Sequence, residues 1–197
     1  MAERARAALD AGLALGAHPA YPDREGFGRR DLPLPPLEIR DAVRAQCEAL
    51  LAVIVRAGGV MRHIKLHGAL YHRAHRDQAV AEAVADAVIA LNPELIVVGL
   101  AASRLAEACV ERGLAFAREV FADRGYSADG HLLPRGVAGA LLAADAAAAQ
   151  ALRLFTDADT LCLHSDSPGA EQTARRIRRA LEEGGVAVQP MSLGGRP

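Results

Sequence analysis

The sequence predicts an α/β protein built on a parallel sheet, and three observations carry that prediction. Apolar runs of strand length alternate with amphipathic helical segments along the chain. The run LIVVGLA, 95 to 101, is apolar without alternation, as suits a strand covered on both faces. Polar clusters recur just beyond the apolar runs, where parallel α/β folds place their ligand sites. With 197 residues, 51% of them apolar, the chain can build one sizeable core, and a single domain is expected. The alternation fits either a closed barrel or a doubly wound sheet.

Residues 2 to 11 read as a helix ended by Gly12, and LALGAHP, 13 to 19, as the first strand. A helix that feeds the first strand of an alternating fold normally connects back to an earlier strand, so an N-terminal unit is expected to be missing. The loop 20–36, AYPDREGFGRRDLPLPP, exceeds the roughly 2 to 6 residues usual between strand and helix and is expected to be functional. Pro35 and Pro36 pre-set a helix with Ile39, Val43, Cys47, Leu50 and Ile54 on one stripe, stopped at Gly58 and Gly59. MRHIKLH, 61 to 67, is the next strand. Asp77 caps a helix that carries Val80, Val84, Val88 and Leu91 on one face. After the strand at 95 to 101, Ser103 caps a short helix ended by Gly113, and LAFAREVF follows as a strand. A second long loop, 122 to 136, leads to an alanine-rich helix over 137 to 155, restarted at Asp145. TLCLH, 160 to 164, a helix begun by Ser167 and Pro168 and closed by Gly184 and Gly185, and a last strand VAVQPM complete six strands.

The net charge of -1 and the intermixed signs give no basic stripe, which excludes nucleic acid and anionic membrane as primary partners. ARRIRRA, 174 to 180, reads as the wet face of a helix. No run of about 18 apolar residues occurs, MAERARAALD resembles a charged helix rather than a signal peptide, and a cytoplasmic protein is expected. Cys47, Cys109 and Cys162 are widely spaced and odd in number, which predicts reduced, buried thiols.

Four strand ends carry the candidate chemistry. GAHPAYPD brings His18 and Asp23, and HIKLHGALYH brings Lys65 and His67 on one face of a strand, since alternate residues point the same way. REVFADRGY brings Glu119, Asp123 and Arg124, and TLCLHSDSP brings His164 and Asp166. A desolvated lysine among carboxylates and imidazoles can exchange protons near neutral pH, which suits general acid-base chemistry. Asp123 with Arg124 fits a structural ion pair equally well. His and carboxylate clusters also admit a metal, although no HExxH is present, and His72 and His75, in the polar stretch YHRAHRD, read as solvated. Neither a GxxxxGK[ST] loop nor a GxGxxG turn occurs.

Taken in order, GAHPAYPDREGFGRR, HIKLHGALYH, VVGLA, EVFADRGYSADGHLLPR and DTLCLHSD resemble the LamB/YcsF family, over about residues 1 to 190. The resemblance implies a seven-stranded (β/α) barrel of the glycoside hydrolase/deacetylase type, incomplete here because the family's first two strands precede this chain's first residue. It implies the A subunit of 5-oxoprolinase, a hydrolase that opens 5-oxoproline (pyroglutamate) to L-glutamate with ATP, Mg²⁺ being the counter-ion of ATP, together with subunits B and C. No tightly bound cofactor is implied. The matched positions give Lys65, His67, Glu119, Asp123, His164 and Asp166 as catalytic, and His18, Asp23, Arg124, Tyr126 and Arg135 as substrate-binding. Ala20, Leu66 and Ser165 stand where the family has Gly, Pro and Gly, and the stretch before TLCLH is shorter than the family's. The other readings are a metal-dependent deacetylase or amidohydrolase and a non-catalytic binding subunit or fragment.

Overall fold

The computed structural model describes residues 1–128 and 130–191, and in it the apolar runs become parallel strands separated by helices. The chain divides into two units, Met1–Ala117 with the segment from Pro190, and Arg118–Gln189.

The first unit runs α1 (Ala2–Asp10), β1 (Leu15–Ala17), α2 (Pro36–Arg56), β2 (Met61–Lys65), α3 (Gly68–Arg76), α4 (Gln78–Leu91), β3 (Ile96–Gly99) and α5 (Arg104–Glu111). β1 lies parallel to β2 and β2 to β3, with Ala17 opposite Ile64 and Lys65 opposite Val98. All four residues of β3 are buried, as the unbroken apolar run requires. α2 packs on α4, and the predicted stripes do the packing: Ile39, Val43, Cys47 and Ile54 on one side, Val80, Val84 and Val88 on the other. The predicted caps at Asp77 and Ser103 and the stop at Gly12 are also met. Asp77 accepts the Val80 N–H at 3.3 Å, Ser103 Oγ accepts the Ala106 N–H at 3.1 Å, and Gly12 is left-handed with φ 69°. The three cysteines are reduced and buried; burial pushes the thiols of Cys47 and Cys109 up to about 12, so both are inert filler at neutral pH.

In the second unit, β4 (Phe116–Phe121), which begins in the first, pairs in parallel with β5 (Thr160–Cys162), Glu119 lying opposite Thr160 and Phe121 opposite Cys162. α6 (Ala144–Leu154) and α7 (Ala170–Glu183) pack through Ala147, Ala148 and Ala151 against Ile177, Ala180 and Leu181. The small alanines let the two backbones approach closely. The arginines of ARRIRRA face out: Arg175 and Arg178 pair with Glu171 and Glu182, each one turn away.

Several expectations are corrected. Five strands, not six, form among the described residues, because VAVQPM is not a strand. Val186 packs on the α6–α7 cluster, Val188 is 44% exposed, and Pro190 has no N–H for a ladder. The alanine-rich helix spans 144 to 154, not 137 to 155: Gly139 is left-handed and the Ala140 carbonyl is taken by the Arg124 guanidinium, so tertiary contacts override propensity. Asp145 is no cap; it lies in the first turn and pairs with Arg176 at 2.8 Å. α7 starts not from Ser167 and Pro168 but from Gly169, which is left-handed at φ 71°. An additional helix, α3, follows β2 directly. No helix among the described residues is long and apolar enough to cross a membrane.

Candidate functional site

The candidate residues fall into two clusters, one in each unit. In the first, parallel pairing places the ends of β1 and β2 side by side, and the His67 N–H donates to the Pro19 carbonyl at 2.8 Å. The imidazoles of His18 and His67 meet there, with His18 Nε2 and His67 Nδ1 3.0 Å apart and the rings edge-on. His18 Nδ1 lies 2.6 Å from the Lys65 carbonyl oxygen, and His67 Nε2 lies 2.9 Å from that of Phe27. The Lys65 ammonium sits 5.9 Å from the centre of the Tyr71 ring, within cation–π range. Lys65, His67 and His18 are thus gathered at one strand edge.

The long loop 20–36 reaches this cluster because two glycines allow it. Gly28 and Gly68 are both left-handed, at φ 68° and 60°, and the Ala69 N–H donates to the Gly28 carbonyl at 3.0 Å. A Cβ on Gly68 would lie 2.3 Å from that carbonyl oxygen, a backbone atom that cannot step aside. Gly68→Ala is therefore expected to cost about 2 to 4 kcal/mol from the left-handed strain and the clash together; equal denaturation midpoints for variant and parent would contradict it. Asp23 helps to build the loop. Its carboxylate pairs with Arg30 and accepts the Gly26 N–H at 2.9 Å. The Arg30 guanidinium, with that backbone donor, outweighs burial and holds Asp23 at about 2.

One histidine reads differently from the sequence. His75 is not solvated: Nδ1 donates to the Tyr71 carbonyl, and Nε2 accepts the Leu100 N–H at 3.0 Å, tying α3 to the end of β3. Burial is the chief reason its pKa falls to about 4. Its ring also lies 4.1 Å from that of Tyr71, so it braces the ring that faces Lys65. His63 lies against Gly16, and burial first and Lys65 second lower its proton affinity.

In the second cluster, alternation along β4 buries Ala117, Glu119 and Phe121 on one face, which brings a carboxylate into the interior. Asp123, 4% exposed, accepts the His164 backbone N–H at 2.9 Å and faces His164 Nδ1 at 3.1 Å from both oxygens. Burial alone raises the Asp123 pKa, but the side-chain and backbone bonds from His164 outweigh it and leave it below the ordinary value. Asp123 therefore stays ionised, fixes the Nδ1–H tautomer of His164 and leaves Nε2 with its lone pair, the arrangement of a general base held by a carboxylate. Phe121 stacks on the His164 ring at 5.8 Å between centres.

Arg124 turns to the second long loop, while the charge of Asp123 still acts on it. Its guanidinium holds the Ala140 and Leu133 carbonyls at 3.0 and 2.5 Å and so folds the second long loop. The Tyr126 hydroxyl accepts the Phe121 N–H at 2.8 Å, and Arg135 and Asp166 form an open ion pair at 3.7 Å. Sequence reasoning missed Gln150. Buried on α6, its amide donates to the carbonyls of Phe121, Ala122 and Arg124 at 2.7 to 3.2 Å, and so fixes the backbone on both sides of Asp123. A lone amide on the apolar face of an alanine helix is the available signal.

Comparison with known proteins agrees with the motif order. The model of the LamB/YcsF family matches residues 1–194. The chain is 48% identical to the 5-oxoprolinase A subunit of Methylococcus capsulatus, over 99% of this chain and 80% of that protein. It is 42% identical to the 5-oxoprolinase A subunit of Heliobacterium modesticaldum, over 96% and 80%. Among solved structures, the lactam utilization protein of Thermus thermophilus superposes with a TM-score of 0.89 at 38% identity, covering 96% of this chain and 82% of that one. A family model that spans nearly the whole chain and relatives this similar lead to one conclusion: the chain belongs to the LamB/YcsF family.

Proposed function

We propose that this chain is the A subunit of an ATP-dependent 5-oxoprolinase, opening 5-oxoproline to L-glutamate together with subunits B and C in the cytoplasm. The observation that carries the chemistry is the Asp123–His164 pair, a buried carboxylate that holds an imidazole with one nitrogen left to take a proton. A five-membered lactam is an unstrained amide and resists hydrolysis. ATP, with Mg²⁺ as its counter-ion, would phosphorylate the lactam oxygen and release ADP; water then adds to the ring carbon, the C–N bond opens as the nitrogen gains a proton, and a second water hydrolyses the resulting acyl phosphate to glutamate and phosphate. In the second unit, His164 takes the proton from water. Lys65 and His67 in the first unit, and Glu119 and Asp166 in the second with the Asp123–His164 pair, are the other catalytic candidates; His18 and Asp23 in the first unit, and Arg124, Tyr126 and Arg135 in the second, are the candidates for binding substrate. We take the chain as one (β/α) barrel domain of the glycoside hydrolase/deacetylase type.

A resident metal fits this donor set poorly: among the described residues, no three His, Cys, Asp or Glu side chains group as ligands. The test is glutamate release from 5-oxoproline by this chain with both partner proteins, omitting ATP or either partner in turn. Release only from the complete mixture is expected. No release from that mixture, or release without ATP, would overturn the proposal.

A further inference from the structure

We propose that Phe27 is a specificity-determining residue of the first unit: its ring, held beside His67 and open to solvent, is the apolar surface on which the ring methylenes of the lactam rest. Phe27 is the one non-glycine residue with positive φ among the described residues, at 54°. Glycine takes that conformation freely, whereas a side chain there is strained. The residue is 65% exposed, so burial of the ring offsets little of that strain. Nor does the backbone contact explain the choice of residue. The Phe27 carbonyl lies 2.9 Å from His67 Nε2, and a glycine would offer the same carbonyl without the strain. What phenylalanine adds is its ring.

The loop fixes where that ring stands. The Gly28 N–H donates to the Asp23 carbonyl at 2.8 Å, and the Arg29 N–H donates to the Gly26 carbonyl at 2.9 Å. Gly28 itself is packed so closely that a Cβ there would lie 2.7 Å from the Ala20 Cβ. The Phe27 ring meets that of His67 edge-on, with centres 5.3 Å apart and planes at 89°, and the Arg29 guanidinium lies over it at 5.3 Å. A strained backbone that holds an exposed aromatic ring against a polar cluster is a surface kept for a ligand. The chemistry of 5-oxoproline suits it. The lactam N–H and carbonyl and the free carboxylate call for polar partners, and imidazole and ammonium groups lie at that strand edge. The ring methylenes call for an apolar one, and Phe27 supplies it.

The inference rests on the 5-oxoprolinase reading, and one set of measurements separates the two. Glutamate release is followed with both partner proteins present, varying 5-oxoproline and ATP in turn, for the parent, Phe27→Gly and Phe27→Leu, and each chain is also denatured in urea. No release by the parent mixture overturns the 5-oxoprolinase reading and this inference with it. Where the parent turns over, Phe27→Gly is expected to raise KM for 5-oxoproline about tenfold, the scale of a lost apolar contact, with kcat and KM for ATP held within about threefold. Its urea midpoint should be no lower than the parent's, because glycine relieves the strain. Phe27→Leu keeps apolar surface and should hold KM for 5-oxoproline within about threefold of the parent. An unchanged KM for 5-oxoproline in Phe27→Gly, or a rise in KM for ATP instead, would overturn the proposal and leave the 5-oxoprolinase reading standing. So would a lower midpoint or failure of Phe27→Gly to fold, since the ring would then be structural.

Discussion

Asp123→Asn is expected to cut ATP-dependent glutamate release by about two to four orders of magnitude while the chain remains folded. The substitution keeps the shape but changes what His164 faces. An asparagine oxygen can still accept from one donor, but its NH₂ cannot accept from the His164 Nδ1–H or the backbone N–H that now reach the two carboxylate oxygens. The imidazole then tends to the other tautomer, with its hydrogen on Nε2 and its base capacity turned inward. The loss should fall on kcat more than on KM, because an oriented base matters most when charge develops. Asp123→Ala should lose as much activity and also fold less stably, because it leaves the buried His164 N–H without an acceptor. Turnover within a factor of about three of the parent in Asp123→Asn would remove His164 from the role of base.

Acidification between about pH 6.5 and 4 is expected to weaken the first unit through His75. Its folded pKa, about 4, lies below the ordinary 6.5, so the unfolded chain takes up the proton first. The stabilisation is fully present above about 6.5 and is lost as pH falls towards 4. At roughly 1.4 kcal/mol for each tenfold difference in proton affinity, the loss amounts to about 3 kcal/mol. The structural cause is specific, because Nε2 must stay unprotonated to accept the Leu100 N–H. His63, whose affinity is also lowered, acts in the same sense, so the informative quantity is the difference between parent and His75→Gln. Urea denaturation at several pH values should give a flatter curve for the variant. Parallel curves would mean that His75 is not the group being titrated.

Legibility in the sequence follows the range of the determining contacts. Asp77 and Ser103 bond three residues ahead, and both caps are readable; so are the apolar stripes of α2 and α4, which depend on spacing alone. Residues 137–143 have good helix formers, yet Arg124 reaches them across the loop and takes the Ala140 carbonyl, a contact that no local pattern announces. The polar surroundings of His75 suggest solvent, but its two partners are Tyr71, one turn back, and Leu100, 25 residues on. For the candidate site, the positions of Asp123 and His164 at strand ends are legible from periodicity. Their contact, 41 residues apart in sequence, is not, nor is the part that Asp23 and Arg124 take in loop building.

Gln150 also affects how variants of this protein should be interpreted. Six of the eleven residues of α6 are alanine, yet its buried amide sets where the Asp123 backbone stands. A change on α6 can therefore abolish turnover without touching a reacting atom, and an activity screen would record it as a lesion of the active site. Helix α6 is in effect part of the tolerance on the Asp123–His164 distance, and conservative repacking of its alanines is the route by which that distance would drift.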